Sequence, residues 1–154
     1  MRCYVSNVTI GSDPELFIIN EKTGKVVSSI GIIPGIKGDP FVADDMPVGF
    51  GLETDNILAE FNIPPVRKKI DFLNALNYMK GYIRDWVKKI NPDFGIKCSA
   101  YEIVDDDQLQ SEEARMFGCS PDYNVYTEAE NPAPKGTETN GRSAGKVLAR
   151  ILSN

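Results

Sequence analysis

Glu53-Thr54-Asp55-Asn56-Ile57-Leu58-Ala59-Glu60-Phe61-Asn62-Ile63-Pro64-Pro65 is the stretch on which the fold turns. Read as part of one strand from Leu52 to Ile63, it sends alternate side chains to opposite faces. Ile57, Ala59 and Phe61 then line one face, and Asn56, Leu58, Glu60 and Asn62 line the other. Upstream, Gly11-Ser12-Asp13-Pro14-Glu15-Leu16-Phe17-Ile18 divides in the same way. Leu16 and Ile18 share a face, while Asp13, Glu15, Phe17 and Ile19 share the opposite one. Carboxylates among apolar strand residues are costly to bury unless positive charge meets them, and a metal ion is the simplest such charge. Glu15 and Glu60, with Asp13, Asn56 and Asn62 beside them, are therefore candidate oxygen ligands for a hard divalent cation such as Mg²⁺. The same spacing also fits acids on the wet face of an antiparallel sheet.

Working outward, Asp13-Pro14 opens an extended stretch to Ile19. A turn at Glu21-Lys22-Thr23-Gly24 leads into a second strand, Lys25 to Ile30, as a hairpin. Glycines and prolines alternate through 31–40, which predicts a loop. Phe41-Val42 and Pro47 to Phe50 are expected to be short extended pieces. Pro64-Pro65 is expected to stop the acidic strand. Apolar residues then recur at Ile70, Leu73, Leu76, Ile83, Trp86, Val87 and Ile90, which predicts one long amphipathic helix over about 67–90, ended by Asn91-Pro92. Gly81 inside it suggests close packing on the sheet. Phe94 to Val104 reads as a strand, and Asp105-Asp106-Asp107 as the cap of a short helix over about 107–117. A short strand, Tyr123 to Thr127, precedes a polar stretch without periodicity. With no repeat and no linker, residues 1–154 read as a single α+β domain, a mainly antiparallel sheet packed by one long helix and a short one.

Composition narrows the chemistry. The 154 residues suffice for one domain with a real core. A net charge of −5 lacks the basic footprint of a nucleic-acid or anionic-membrane binder. No apolar run reaches membrane-spanning length, and residues 1–7 lack a signal-peptide core, so a cytoplasmic location is expected. Cys3, Cys98 and Cys119 are too few and too widely spaced for a disulfide framework or a zinc ribbon, and read as reduced, mostly structural thiols. The chain has no histidine, which removes Ser-His and Cys-His pairs and the commonest general base. Chemistry must run on carboxylates, Lys, Arg, Tyr, Ser and backbone groups. Lys37, between Gly35 and Gly38, is a candidate phosphate clamp, although no Gly-Lys-Ser/Thr pattern surrounds it. Arg142, in Asn140-Gly141-Arg142-Ser143-Ala144-Gly145, is a second. Each also reads as a solvated loop cation.

Four motifs occur in order: Gly-Ser-Asp-Pro-Glu-Leu-Phe at 11–17, Asp-Asn-Ile-Leu-Ala-Glu-Phe-Asn-Ile-Pro-Pro at 55–65, Phe-Gly-Cys-Ser-Pro-Asp at 117–122 and Arg-Ser-Ala-Gly at 142–145. Together they resemble the phage-encoded COOH–NH2 ligase family (type 2 amidoligases), relatives of glutamine synthetase and glutamate–cysteine ligase. The resemblance covers about residue 8 to residue 145. It implies half of a glutamine synthetase-like fold and ATP-dependent joining of a small-molecule or peptide carboxylate to an amine, through phosphorylation of the carboxylate and attack of the amine on the acyl phosphate. It also implies that Glu15 and Glu60 are catalytic ligands of Mg²⁺ or Mn²⁺ with Asp13, Asn56 and Asn62 supporting them. Lys37 and Arg142 would clamp ATP phosphate or a carboxylate, and the cell would be an infected bacterial host.

One departure shapes the alternatives. The family's Arg-Ser-Ala-Gly stretch runs into Gly-His-x-His and more sheet, where this sequence reads Lys146-Val147-Leu148-Ala149-Arg150-Ile151-Leu152-Ser153-Asn154. The expectation is an incomplete site, or partner strands supplied by another chain as in a homo-oligomer. Beside the ligase stand a catalytically inactive derivative that binds or inhibits a host or phage protein, and a structural virion or assembly component.

Overall fold

The computed structural model describes residues 8–115, together with the backbone of two short paired strands at 123–124 and 129–130. Among the described residues the architecture is α+β: a six-stranded antiparallel sheet and one long helix.

The stretch at 51–66 forms a hairpin where one strand was expected. β4 (Gly51–Asp55) and β5 (Leu58–Val66) pair with Asp55 opposite Leu58. Asn56 and Ile57 make the two-residue turn, with Asn56 at φ 55°, a left-handed conformation that Asn tolerates better than most residues. β5 also runs through Pro64 and Pro65. Proline gives up a ladder donor, and the pairing shifts register beside these two residues.

β1 (Ile10–Ser12) and β2 (Glu15–Asn20) follow one another along one side of β5, in one register from Ser12 opposite Ile63 to Glu15 opposite Glu60. β3 (Val26–Val27) closes the hairpin after Gly24, whose φ of 73° makes the turn; it is far shorter than the expected Lys25–Ile30. β6 (Phe94–Lys97) pairs with β2 from Asn20 back to Phe17 and stops there, well short of Val104. Pro47 to Phe50 is a turn, not a strand.

α1 (Lys69–Ile90) lies on one face of the sheet. Ala75, Met79, Ile83 and Val87, four residues apart, bury against Leu16, Ile18, Leu52, Ala59, Phe61 and Ile63. The buried seam is thus a strict i, i+4 row, and Ile70, Leu73 and Ile90 of the expected stripe are exposed. An added Cβ at Gly81 would meet nothing, so close packing is not why glycine stands there. The helix ends at Asn91, before Pro92.

The opposite face is covered in part by residues 104–115. The expected short helix is replaced, among the described residues, by two 3₁₀ turns at Asp106–Leu109 and Glu113–Arg115. Val104, Leu109 and Ala114 pack there with Phe17, Leu58, Ile57 and Val26. Asp105 flanks the first turn without a side-chain capping bond and pairs instead with Lys25 at 2.7 Å.

Candidate metal centre

The acids stand in a row across three strands. Glu15 of β2 faces Glu60 of β5, and Glu53 of β4 faces Glu60 from the other side. Directly opposed residues in an antiparallel pair share a face at close range, and like charges so placed destabilise the sheet. Asp55, two residues beyond Glu53, adds a fourth carboxylate to that face. Oxygens of Glu15, Asp55 and Glu60 all lie within 4.8 Å of one another. Glu53, Asp55 and Glu60 are only 5–6% exposed, so solvent screens them poorly; Glu15 is the open member of the set.

Lys37 partly answers this concentration of charge. Its Nζ lies 2.5 Å from Asp55 Oδ2 and 3.0 Å from Glu60 Oε2. The loop that carries it is built into the edge of β4. The Gly35 carbonyl accepts from Thr54 N–H at 3.2 Å, and Phe41 and Leu52 exchange backbone bonds at 2.8 and 3.0 Å. Gly35 has φ 84°, and an added Cβ would collide with the Leu52 carbonyl and the Phe41 amide. Only glycine fits both demands. The Gly38 N–H then donates to Glu53 Oε2 at 3.0 Å.

The helix holds the same loop from the other side. Phe41 packs on Trp86, Phe50 on Tyr78, and Tyr82 lies between Tyr78 and Trp86, with centroids 5.3–6.4 Å apart. Trp86 Nε1 donates to the Ile32 carbonyl at 2.8 Å. Lys37 is therefore seated by a scaffold of backbone bonds and aromatic contacts.

Electrostatics follow from this crowding. Burial raises the Glu60 carboxyl above its ordinary 4.5, against the hydrogen bond and charge of Lys37, with Asp55 and Glu53 adding to the rise. Burial and the Asp55 charge raise Glu15, against Lys37 and with a smaller push from Asp13. Burial alone would lower the Lys37 ammonium, but its bonds to Asp55 and Glu60 outweigh that and hold it above its usual range.

Of the expected site residues, Glu15 and Glu60 come together with Lys37. Lys37 meets two carboxylates of its own chain here, where a ligand's phosphate or carboxylate was expected. Asp13 is exposed and outside the converging set. Asn62 lies opposite Gly51, two residues from Glu60 on the same face. Asn56 belongs to the turn, where its Nδ2 donates to Asp55 Oδ1 at 3.2 Å. Arg142 lies outside the described residues. Cys98 is an exposed free thiol, unlike the structural cysteines expected.

Two members were missed, Glu53 and Asp55. Treating 52–63 as one strand puts both on the face of Ala59 and Phe61; the turn at Asn56-Ile57 shifts the phase and returns them to the face of Glu60. The available signal was Asp55-Asn56, a pair suited to tight turns.

Oxygen-only donors converging from a rigid sheet match what Mg²⁺ and Mn²⁺ prefer. No helix among the described residues is long and apolar enough to cross a membrane. No family model, curated protein or solved structure matches this chain.

Proposed function

We propose that this domain binds a divalent cation on its acidic sheet face and serves an ATP-dependent carboxylate–amine ligase reaction. The observation that carries the reading is the row Glu15–Glu60–Glu53 across three adjacent strands, with Asp55 beside it. Opposed like charges are a poor way to stabilise a sheet, and a cation turns that cost into binding energy. Glu15, Asp55 and Glu60 would hold Mg²⁺ or Mn²⁺, which would supply charge neutralisation for phosphate groups. Lys37 would neutralise what remains of the acidic charge, and Glu53 would keep the Lys37 loop in place through Gly38. The ordered sequence motifs support the ligase part of the reading, and the carboxylates support the metal part.

A second reading draws on Lys37. Its ammonium bridges Asp55 and Glu60 and so offsets part of their charge from within the chain, which supports an inactive derivative that acts by binding a host or phage protein. Titration with Mn²⁺ followed by paramagnetic resonance, with and without a non-hydrolysable ATP analogue, separates the two. The ligase reading expects Mn²⁺ binding that weakens strongly in Glu60→Gln and tightens with the nucleotide. Absence of Mn²⁺ binding in the wild-type protein defeats it and favours the second reading.

A further inference from the structure

One margin of the sheet is open. On the side of β2 away from β5, β6 pairs no further than Phe17, so Glu15 and Leu16 have no strand partner there among the described residues. A cleft of about 470 Å³ lies at this margin. Pro14, Leu76 and Ala100 give it an apolar floor, with Leu16 and Phe61 buried beneath, and Cys98 stands in its wall. Two opposite charges also line it, Glu15 and Lys80. They come from different layers: Lys80 from α1, on the side to which Leu16 points, and Glu15 from the other face of β2.

Lys80 is half-buried, and no carboxylate among the described residues forms an ion pair with it. The positions three and four residues away on its own helix hold Leu, Asn, Ile and Arg, so α1 supplies no local counter-charge. An ammonium half-withdrawn from water over an apolar floor is stabilised by an anion brought to it.

We propose that this cleft binds a linear zwitterion, with a carboxylate on Lys80, an ammonium at Glu15 and an apolar body over Pro14, Leu76 and Ala100. The volume falls in the roughly 300–1,000 Å³ range of small-molecule sites. Because the two charges come from opposite layers, the ligand must carry its ammonium and carboxylate apart, in the manner of an ω-amino acid. Glu15 belongs to both the cleft and the acidic row, so the ammonium end would lie beside the carboxylates. The inference does not rest on a metal or on ligase chemistry.

The test uses 6-aminohexanoate as probe, without divalent metal, and reads iodoacetamide alkylation of Cys98 by peptide-resolved mass spectrometry. The probe is expected to slow alkylation of Cys98 in a saturable manner. Hexanoate and hexylamine, each lacking one charge, are expected to protect roughly tenfold less effectively, as is the probe with Lys80→Met. Lys80→Arg, which keeps the cation, is expected to retain protection and shows that the loss is not one of folding. Unchanged Cys98 alkylation in the wild-type protein, equal protection in Lys80→Met, or equal protection by hexylamine overturns the proposal. Mn²⁺ binding is measured separately, so the two readings fail independently.

Discussion

The two faces of the sheet are made by the same strands and obey opposite rules. Toward α1, Leu16, Ile18, Leu52, Ala59, Phe61 and Ile63 are buried hydrocarbon packed on a helix. On the other face, Glu15, Glu53, Asp55 and Glu60 crowd like charges and borrow one lysine from a loop. The first face gains stability from every residue it holds. The second is held in place largely by that first face and by the loop clamped onto β4. Stability and candidate chemistry are thus divided between the two sides of one layer, and the comparison can be broken from either side.

The largest effect is expected from the apolar face. Phe61, fully buried, touches both the sheet core and α1. Phe61→Ala should cost about 3–5 kcal/mol, read by urea denaturation. Next comes the loop that carries the lysine. Gly35→Ala forces a side chain into backbone at a positive φ and should cost about 1–3 kcal/mol. If its stability stays within a few tenths of a kcal/mol of wild type, the loop is not clamped as described. Third is Lys37→Met, which strips Asp55 and Glu60 of their cation. Lys37 is about half exposed (49%), so the loss should fall below that of a fully buried pair, about 1–2 kcal/mol at neutral pH. Millimolar Mn²⁺ should restore part of it by binding only the folded state. A Lys37→Met protein as stable as wild type would show that the acidic face carries no net strain.

The helix and the apolar face were legible in the sequence because burial imposes a strong period, whereas the stretch expected as one strand over 52–63 is a hairpin. Leu16 and Ile18, or Ala59 and Phe61, leave little choice of face. The helix stripe was legible only in outline: it contained Ile83 and Val87 but not Ala75 and Met79, the other half of the buried seam, and Ala75 is too small to stand out in a hydrophobic pattern. The acidic face was only half legible. A two-residue turn reverses phase, and a turn made by Asn56-Ile57 lacks the glycine that usually announces one. Lys37 was legible as a site cation, but its pairing with the acids was not. Lys37 reaches Asp55 and Glu60 across 18 and 23 residues of chain, through a loop whose path depends on Gly35 and on the aromatic contacts of α1.

The smallest expected effect distinguishes the faces most directly, because only one of them titrates. Burial and neighbouring acids raise Glu15 and Glu60 above their ordinary 4.5. The folded state therefore holds their protons more tightly than the unfolded chain does. Their contribution to stability is fully present below the unfolded value and is lost as pH rises through the folded one. Glu102 has the opposite sign, since the hydrogen bond from Lys97 lowers it, and its contribution is lost as pH falls below the ordinary range. Stability should accordingly rise as pH is lowered from neutrality toward 4.5 and turn down below it. Melting temperatures measured across this window should show that rise in the wild-type protein and a flattened one in Glu60→Gln, whose side chain no longer titrates. A wild-type melting temperature that falls steadily from pH 7 would mean that the carboxylates of this face are stabilised by their neighbours, and would remove the electrostatic argument for a cation there.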